Sequence, residues 1–413
     1  MTDYVETVII GAGQSGLATS YELSQHHREY VILERAARAG HVWRDERWDS
    51  FALFSPNWTF RMPGAEYRGD QPDAFMTRDE VAALIEGYPE RFHLPVCYNT
   101  PVTGVERVEA DGTFVVRTPE RDLRARNLVV ATGRYQNPQI PTAAGELPDD
   151  IYQLPSRDYR NPQLLPPGAV LVVGSGQTGC QIVEDLQLAG REVFLSVSSA
   201  GRIPRRYRGK DIFEWLVPMG FFDRTSDMLP SPRARFTAHP HLTGARGGHS
   251  INLHEFAREG IVLLGHFRAM QDGLASFAPD LIANIRNADR YCEETLKRID
   301  AFVDQRGVDA PIEQVPELHD DYLLPVLEKL DLHEAGISTV IWASGFRFDY
   351  RWVQPAALDE FGYPTVNGSP ANSAGLYFVG LPWVPRGSAG LLLGTGQVAK
   401  AVAEEIVVRA TRA

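Results

Sequence analysis

Two sets of glycines carry the clearest chemical signal in this chain. Gly11, Gly13 and Gly16 form a G-x-G-x-x-G directly after the apolar run Val8-Ile9-Ile10. Gly174, Gly176 and Gly179 repeat the pattern after Val170-Leu171-Val172-Val173. Such a loop does no covalent chemistry; it cradles a pyrophosphate. The first glycine allows a tight turn, the second lets the backbone approach phosphate, and the third lets a following helix pack closely on the strand. A helix beginning at Ser15, or in the second copy at Gln177-Thr178, aims free N–H groups and its positive dipole end at the anion. One copy arises easily by chance, whereas two inside complete strand–loop–helix–strand frames do not.

Residues downstream of each loop distinguish the copies. In the first, Tyr30-Val31-Ile32-Leu33 ends at Glu34, placed to accept the hydroxyls of an adenosine ribose. In the second, Glu192 to Val197 is followed by Ser198 and then Arg202, Arg205, Arg206 and Arg208. A carboxylate there would repel a ribose 2′-phosphate, and guanidinium groups grip one with paired hydrogen bonds. A solvated basic loop is the plainer reading, but its position after the motif in an acidic chain favours NADPH over NADH.

The elements that must hold these groups can be read around them. Ala131-Thr132-Gly133 and Ala343-Ser344-Gly345 each close an apolar run with a small-residue turn that permits close backbone approach. Thr77 to Arg91 has a Thr cap and helical spacing, Leu281 to Gln305 reads as a long amphipathic helix, and Ile251 to Leu264 reads as helix then strand. Gly375 to Pro382 reads as a buried strand, with Leu391 and Leu392 leading into a last helix that ends near Arg409. The aromatic segment from Gly40 to Gly64 reads as packed loop, either walling a flat ring system or simply filling space. A Pro-rich connector from Asn137 to Gly168 reads as a domain boundary.

Composition narrows the classes. The 413 residues exceed one ordinary core, and a net charge of −12 argues against nucleic acid and against an anionic membrane surface as partners. No apolar run spans a bilayer and no signal-peptide pattern opens the chain, so a cytoplasmic protein is expected. Cys97, Cys180 and Cys292 are widely spaced and read as free thiols, with no dithiol pair for a disulfide relay. His239, His241, His249 and His254 lack the spacing and companions of a metal site, and no metal is expected.

Taken together, GAGQSG with Glu34, GHVW at 40–43, ATG at 131–133, GSGQTG with its arginines, ASGF at 343–346 and GLYFVGLPW resemble the class B flavoprotein monooxygenases. That group includes flavin-containing monooxygenases, YUCCA-type enzymes, N-hydroxylases and Baeyer–Villiger enzymes. The resemblance implies an α/β fold of two Rossmann-like dinucleotide-binding domains, FAD in the first and NADPH in the second. It places the FAD domain at 1–162 and 332–413, and an inserted NADPH domain at 163–331 whose region from about 210 covers the substrate. It implies that Gly11, Gly13, Ser15 and Gly16 hold the FAD pyrophosphate, Glu34 with Arg35 the ribose, and Val102 the adenine through its backbone. Val42 and Trp43 would lie beside the flavin, with Thr132, Gly133, Ser344, Gly345, Gly380, Leu391 and Leu392 completing the cofactor walls. NADPH would meet Gly174, Ser175, Gly176, Gln177, Thr178, Gly179, Ser198, Arg202, Arg205 and Arg206.

The activity implied is oxygenation of a small organic substrate with NADPH and O2 through a C4a-hydroperoxyflavin, N- or S-oxygenation or hydroxylation being favoured. A peroxide-releasing oxidase or reductase, a Baeyer–Villiger enzyme and a flavin-binding sensor are the alternatives, and a homo-oligomer is permitted. The chain departs from the family pattern in two places, the fingerprint and the flavin-side Asn. In the fingerprint F-x-G-x-x-x-H-x-x-x-Y/W, Ile151 takes the Gly place and Pro155 the His place, while Tyr159 fits its end. The Asn that relatives carry near the flavin falls at Pro56 or Asn57, leaving Asn57 and Tyr159 as the candidate catalytic side chains.

Overall fold

The computed structural model describes residues 3–316, 318, 323–366 and 371–411. Both glycine loops lie where the residue pattern puts them, each at the carboxyl end of a buried parallel strand. The strand Asp3–Ile10 is flanked in parallel by Tyr30–Leu33 and Asp122–Val130. Val96–Cys97 and Leu376–Phe378 extend the sheet on either side, also in parallel. An antiparallel hairpin, Gly104–Arg107 with Phe114–Arg117, is carried by the first half of Asp122–Val130. In that long strand burial alternates from Asp122 to Arg126 and becomes continuous from Asn127 to Val130. The change marks where a one-faced sheet becomes the two-faced centre of an α/β layer.

The second sheet has five strands, all parallel, in the order Val262–Leu264, Val193–Ser196, Ala169–Val173, Ile337–Trp342, Tyr152–Pro155. Its last two strands lie outside the expected insertion limits of 163 and 331. Tyr152–Pro155 pairs with Ile337–Trp342 and not with the first sheet, so the hydrogen-bonded unit begins and ends further out than the connector's composition indicates. Pro155 closes an edge strand, where the missing N–H breaks no ladder. The chain passes between the sheets at Asn137–Pro138 and Phe346–Arg347, and these segments pair antiparallel with each other.

Helices follow their local signals. Thr77 caps Arg78–Glu86 in a full capping box with Glu80, worth about 1 kcal/mol. The expected single helix to Arg91 instead breaks at Gly87 and restarts as Tyr88–Arg91, because Pro89 cannot supply an interior N–H. Leu281–Arg306 forms a continuous helix that buries Leu281, Ile285, Ala288, Cys292, Ile299 and Val303 and ends on Gly307 at φ 61°. Leu253–Arg258 followed by Val262–Leu264 gives the expected helix then strand. The last helix, Thr395–Thr411, shares a core with the helix Gln14–Gln25 through Val398, Val402, Leu17 and Leu23. Among the described residues no helix is long and apolar enough to cross a membrane.

Candidate functional site: a cleft between two glycine loops

The two loops are near-copies in three dimensions. The Gly11 N–H donates to Leu33 O at 2.8 Å, and the Gly174 N–H donates to Ser196 O at 3.1 Å. The Ala131 N–H donates to Ile10 O and the Ala343 N–H to Val173 O, both at 2.9 Å. Steric limits repeat as well. A Cβ on Gly16 would stand 2.0 Å from Gly11 O, and one on Gly179 would stand 1.9 Å from Gly174 O. Gly11 and Gly174, at φ +107° and +110°, press against the carbonyls of Ala131 and Ala343. At Gly13, by contrast, a Cβ would meet nothing within 4 Å. The middle glycine therefore faces open space, while its neighbours are closed by backbone. The following helix has Gly13 as its N-cap, with no side-chain cap bond and no acid in the first turn. Its orphan N–H groups and dipole remain available to an anion.

In front of the first loop lies a cavity of about 490 Å³ reaching across to the second domain. Gly11, Gly13 and Ser15 line it, as do Glu34, Arg35 and Val102 at the adenosine end expected from the first motif. Val42, Trp43, Thr132 and Gly133 form its middle wall, and Gly380, Leu391 and Leu392 come in from the C-terminal segment. Gly40 starts the short helix His41–Asp45 and donates its N–H to Ala12 O at 3.0 Å, which pins Val42 and Trp43 against the glycine loop. Glu34 is buried and doubly engaged, Oε2 accepting from the Ala12 N–H at 2.7 Å and Oε1 from the Ala36 N–H at 2.8 Å. It braces the loop as well as facing the cavity. Ser15 Oγ and Thr395 Oγ1 lie 2.8 Å apart, tying the first helix to the start of the last.

From the second domain, Gln177 and Thr178 reach the same cavity. Gly174, Ser175, Gly176 and Gly179 stand behind them. Ser175 Oγ accepts from the Ser198 N–H at 2.8 Å, joining the loop to the end of the next strand. Beneath it, His241 Nε2 donates to Ser175 O at 2.6 Å. Burial, then the nearby Arg202 charge, lower the His241 pKa to about 4 against the raising effect of that bond. Ser344 and Gly345 are not on the cavity wall; they lie at the crossing, with the Ser344 hydroxyl and the Gly345 carbonyl both bonded to Gln139.

The arginines after the second motif divide sharply. Arg205 is buried, with Nη2 2.6 Å from Asp211 Oδ1 and Nη1 donating to Phe54 O at 2.6 Å. It fastens the aromatic loop of the first domain to the second and is committed there, contrary to its expected place in a phosphate grip. Arg202 pairs with Asp289 at 2.5 Å, and Arg208 with Asp300 at 2.9 Å. Arg206 is exposed.

The candidate catalytic side chains are not on the cavity wall. Asn57 is buried, its Nδ2 donating to Gln71 O at 3.0 Å, and it belongs to the turn that shapes the aromatic loop. The cavity wall in that loop is Phe54 and Ser55. Tyr159 is fully buried, and its hydroxyl donates to Asp185 at 2.6 Å. Burial, then that carboxylate, push its pKa up beyond the normal phenol range. It locks the connector to the helix Gln177–Leu188. At the fingerprint position Ser156 and Arg157, not Pro155, line the cavity. The histidines have ordinary partners: His241 as above, His249 with Glu184 and His254 with Asp289. Among the described residues no group of three His, Cys, Asp or Glu could hold a metal.

Sequence reading missed the residues just past the small-residue turn. Arg134, Tyr135 and Gln136 line the cavity, together with Arg47, Trp48 and Phe51 from the aromatic segment. The signal available was their adjacency to Gly133 and Trp43. Of the two readings of the aromatic segment, Trp43, Trp48, Phe51 and Phe54 take the wall and Phe60 and Met62 the core.

Residues 8–219 match the pyridine nucleotide-disulphide oxidoreductase family. A CzcO-like oxidoreductase of Geobacillus kaustophilus is 32% identical over 411 residues, covering 98% of this chain and 99% of its own length. A probable indole-3-pyruvate monooxygenase of Arabidopsis thaliana, YUCCA7, is 30% identical over 224 residues, 51% of each chain. Among solved structures, a flavin-containing monooxygenase from Stenotrophomonas maltophilia aligns over 99% of this chain and 100% of its own, with TM-score 0.66 and 19% identity. The complex of OTEMO with FAD and NADP covers 99% and 86%, with TM-score 0.59 and 16% identity. These two show a shared fold.

Proposed function

The chain belongs to the pyridine nucleotide-disulphide oxidoreductase family, and on that premise we propose that it is an FAD- and NADPH-dependent monooxygenase acting on a small organic substrate. The carrying observation is the open cradle at Gly13, beside a wall of Val42, Trp43 and Leu391 and opposite Gln177 and Thr178 of a second, near-identical loop. The likeness to flavin monooxygenases in fold and, over half the chain, to a probable indole-3-pyruvate monooxygenase supports the same reading.

The residues present fit an FAD. Gly13 and the first-turn N–H groups take the pyrophosphate, and Glu34 retains lone pairs for ribose hydroxyls beside the two amides it already receives. Val42, Trp43 and Leu392 provide flat apolar walls, and the Thr395–Thr411 helix begins beside Ser15. Bound flavin supplies the transfer of two electrons from NADPH and the reaction with O2 that delivers one oxygen atom to substrate and leaves the other as water. The chain's own work is positioning. Gln177 and Thr178 place NADPH from the second domain, while Phe54 and Phe213 keep water from the cavity. For the second domain we place the insertion between the paired crossings at Asn137–Pro138 and Phe346–Arg347.

Rapid mixing of the NADPH-reduced, FAD-loaded protein with O2 tests this reading. A transient near-ultraviolet band distinct from oxidised and reduced flavin, lengthened by NADP+, is the expected result. Immediate reoxidation with stoichiometric peroxide, unchanged by any substrate, would instead make the protein an oxidase.

A further inference from the structure

We propose that Arg47 and Arg134 form the seat for a substrate carboxylate, so that the oxygenated substrates are small organic acids with an aromatic or otherwise apolar body. This rests on the monooxygenase reading and specifies its substrate class.

The cavity wall carries two arginines, Arg47 buried and Arg134 half-buried. Arg47 is 9% exposed, and among the described residues neither it nor Arg134 has a carboxylate within 4.0 Å. Arg47 Nη1 donates to Glu46 O at 2.8 Å, and Arg134 Nη1 lies 3.3 Å from His239 Nε2. Burial, then the Arg134 charge, lower the His239 pKa to about 4, so this ring is neutral and accepts from the guanidinium. Of the acids on the wall, Glu46 favours the Arg47 charge through space but forms no ion pair with it, and the others are turned elsewhere. Glu34 receives two backbone amides, Glu46 faces Arg35 at 3.7 Å and His41 at 3.6 Å, and Asp349 is held by Arg351 at 2.6 Å. Other arginines, buried or half-buried, have carboxylate partners: Arg202 has Asp289, Arg205 has Asp211 and Arg235 has Asp359.

The two guanidinium groups are held in place by rings. The Arg47 guanidinium carbon lies 4.4 Å from the Tyr135 ring centre, 5.6 Å from Trp43 and 5.8 Å from Phe51. The Arg134 carbon lies 5.5 Å from the same Tyr135 ring, and Phe346 abuts that ring edge-on at 5.0 Å. Burial alone would raise the Tyr135 pKa, but Arg134 and Arg47 outweigh it and the net direction is down. Cation–π contacts orient a guanidinium without neutralising it, so its N–H fork stays available for a bidentate anion. An uncompensated buried charge is unfavourable until an anion arrives. A carboxylate fits that fork, and Phe54 and Phe213, 6.0 Å apart on the same cavity wall, offer the apolar surface for the remainder of the molecule.

A cofactor phosphate would meet the same two groups with the same chemistry, and the test separates the sources. Calorimetric titration of the full-length protein with phenylacetate and 3-phenylpropionate, each against its primary amide, reads binding with or without flavin loaded. At least tenfold tighter binding of one acid than of its amide is expected, weakened tenfold or more by Arg134→Gln and by Arg47→Gln and partly restored by Arg47→Lys. FAD content and NADP+ affinity of the same variants, measured separately, should stay within twofold. Equal binding of acid and amide, or no binding of either acid, overturns the proposal. So does loss of FAD or NADP+ affinity in place of acid affinity, which would assign the arginines to a cofactor phosphate. A protein that takes up no FAD yet binds the acids in the arginine-dependent manner would refute the monooxygenase reading and leave the carboxylate seat standing.

Discussion

Within one loop, Gly13 and Gly16 have different reasons to be glycine, and substitution separates them. Gly13 has extended backbone, φ −80° and ψ 179°, and open space where a Cβ would go. Gly13→Ala should therefore change unfolding free energy by less than about 1 kcal/mol, while FAD affinity falls about tenfold or more as the methyl enters the phosphate cradle. Gly16→Ala drives a methyl into Gly11 O and should destabilise the protein by about 3 kcal/mol or more before any cofactor is considered. Urea unfolding of the flavin-free proteins together with flavin fluorescence titration distinguishes the two. Equal loss of stability in both variants would mean that Gly13 is closed by backbone like its neighbour. The motif itself announced these residues. It could not announce Arg47 or Arg134, because their meaning lies in the absence, among the described residues, of a carboxylate ion-paired to either, and that depends on where Glu46 and Asp349 turn.

At the level of elements, the hairpin Arg206–Tyr207 with Lys210–Asp211 shows how one run of arginines is divided by its fold. The strand pairing turns Arg205 inward to Asp211 and to Phe54 O across the domain boundary, and leaves Arg206 at the surface. Arg205→Ala strands the buried Asp211 carboxylate, so unfolding free energy should fall by about 3–5 kcal/mol. Arg206→Ala should leave stability within about 0.5 kcal/mol and raise KM for NADPH while hardly changing that for NADH. Equal KM effects on both nucleotides would remove Arg206 from 2′-phosphate recognition. The sequence pattern treated these arginines as one basic patch because spacing alone does not reveal which of them the fold turns inward. Helix ends were more legible. The Thr77–Glu80 box and the Pro89 break are local effects, and only the break was overlooked.

Across the whole molecule, duplication is the governing feature: two sheets with parallel centres, each with its glycine loop, face one cavity and are joined by two chain crossings that pair with each other. Stability toward acid is a property of this assembled state. His241 is fully buried under the second loop, and its folded pKa of about 4 lies below the ordinary 6.5. The unfolded chain therefore binds a proton below pH 6.5 that the folded chain refuses until about pH 4. Stability is complete above that window and falls as pH drops through it, by up to about 3 kcal/mol for this group. Urea midpoints at neutral and mildly acidic pH should show the decline, and His241→Gln should flatten part of it. An unchanged slope in the variant would place the acid sensitivity elsewhere.

Local chemistry in the chain was enough to determine both glycine loops and their parallel-strand settings. Turn geometry, apolar periodicity and close approach are decided within a few residues, so each leaves a contiguous mark. Tertiary structure alone decided that Tyr152–Pro155 and Ile337–Trp342 join the second sheet, that Asn57 and Tyr159 brace the architecture away from the cavity wall, and that Arg205 serves as a clamp. It also decided that Arg47 and Arg134 share one aromatic ring, Tyr135, with no carboxylate ion pair to either among the described residues. Sheet membership and charge compensation depend on partners distant in the chain, and pairwise distance is the quantity that a linear order of residues does not contain.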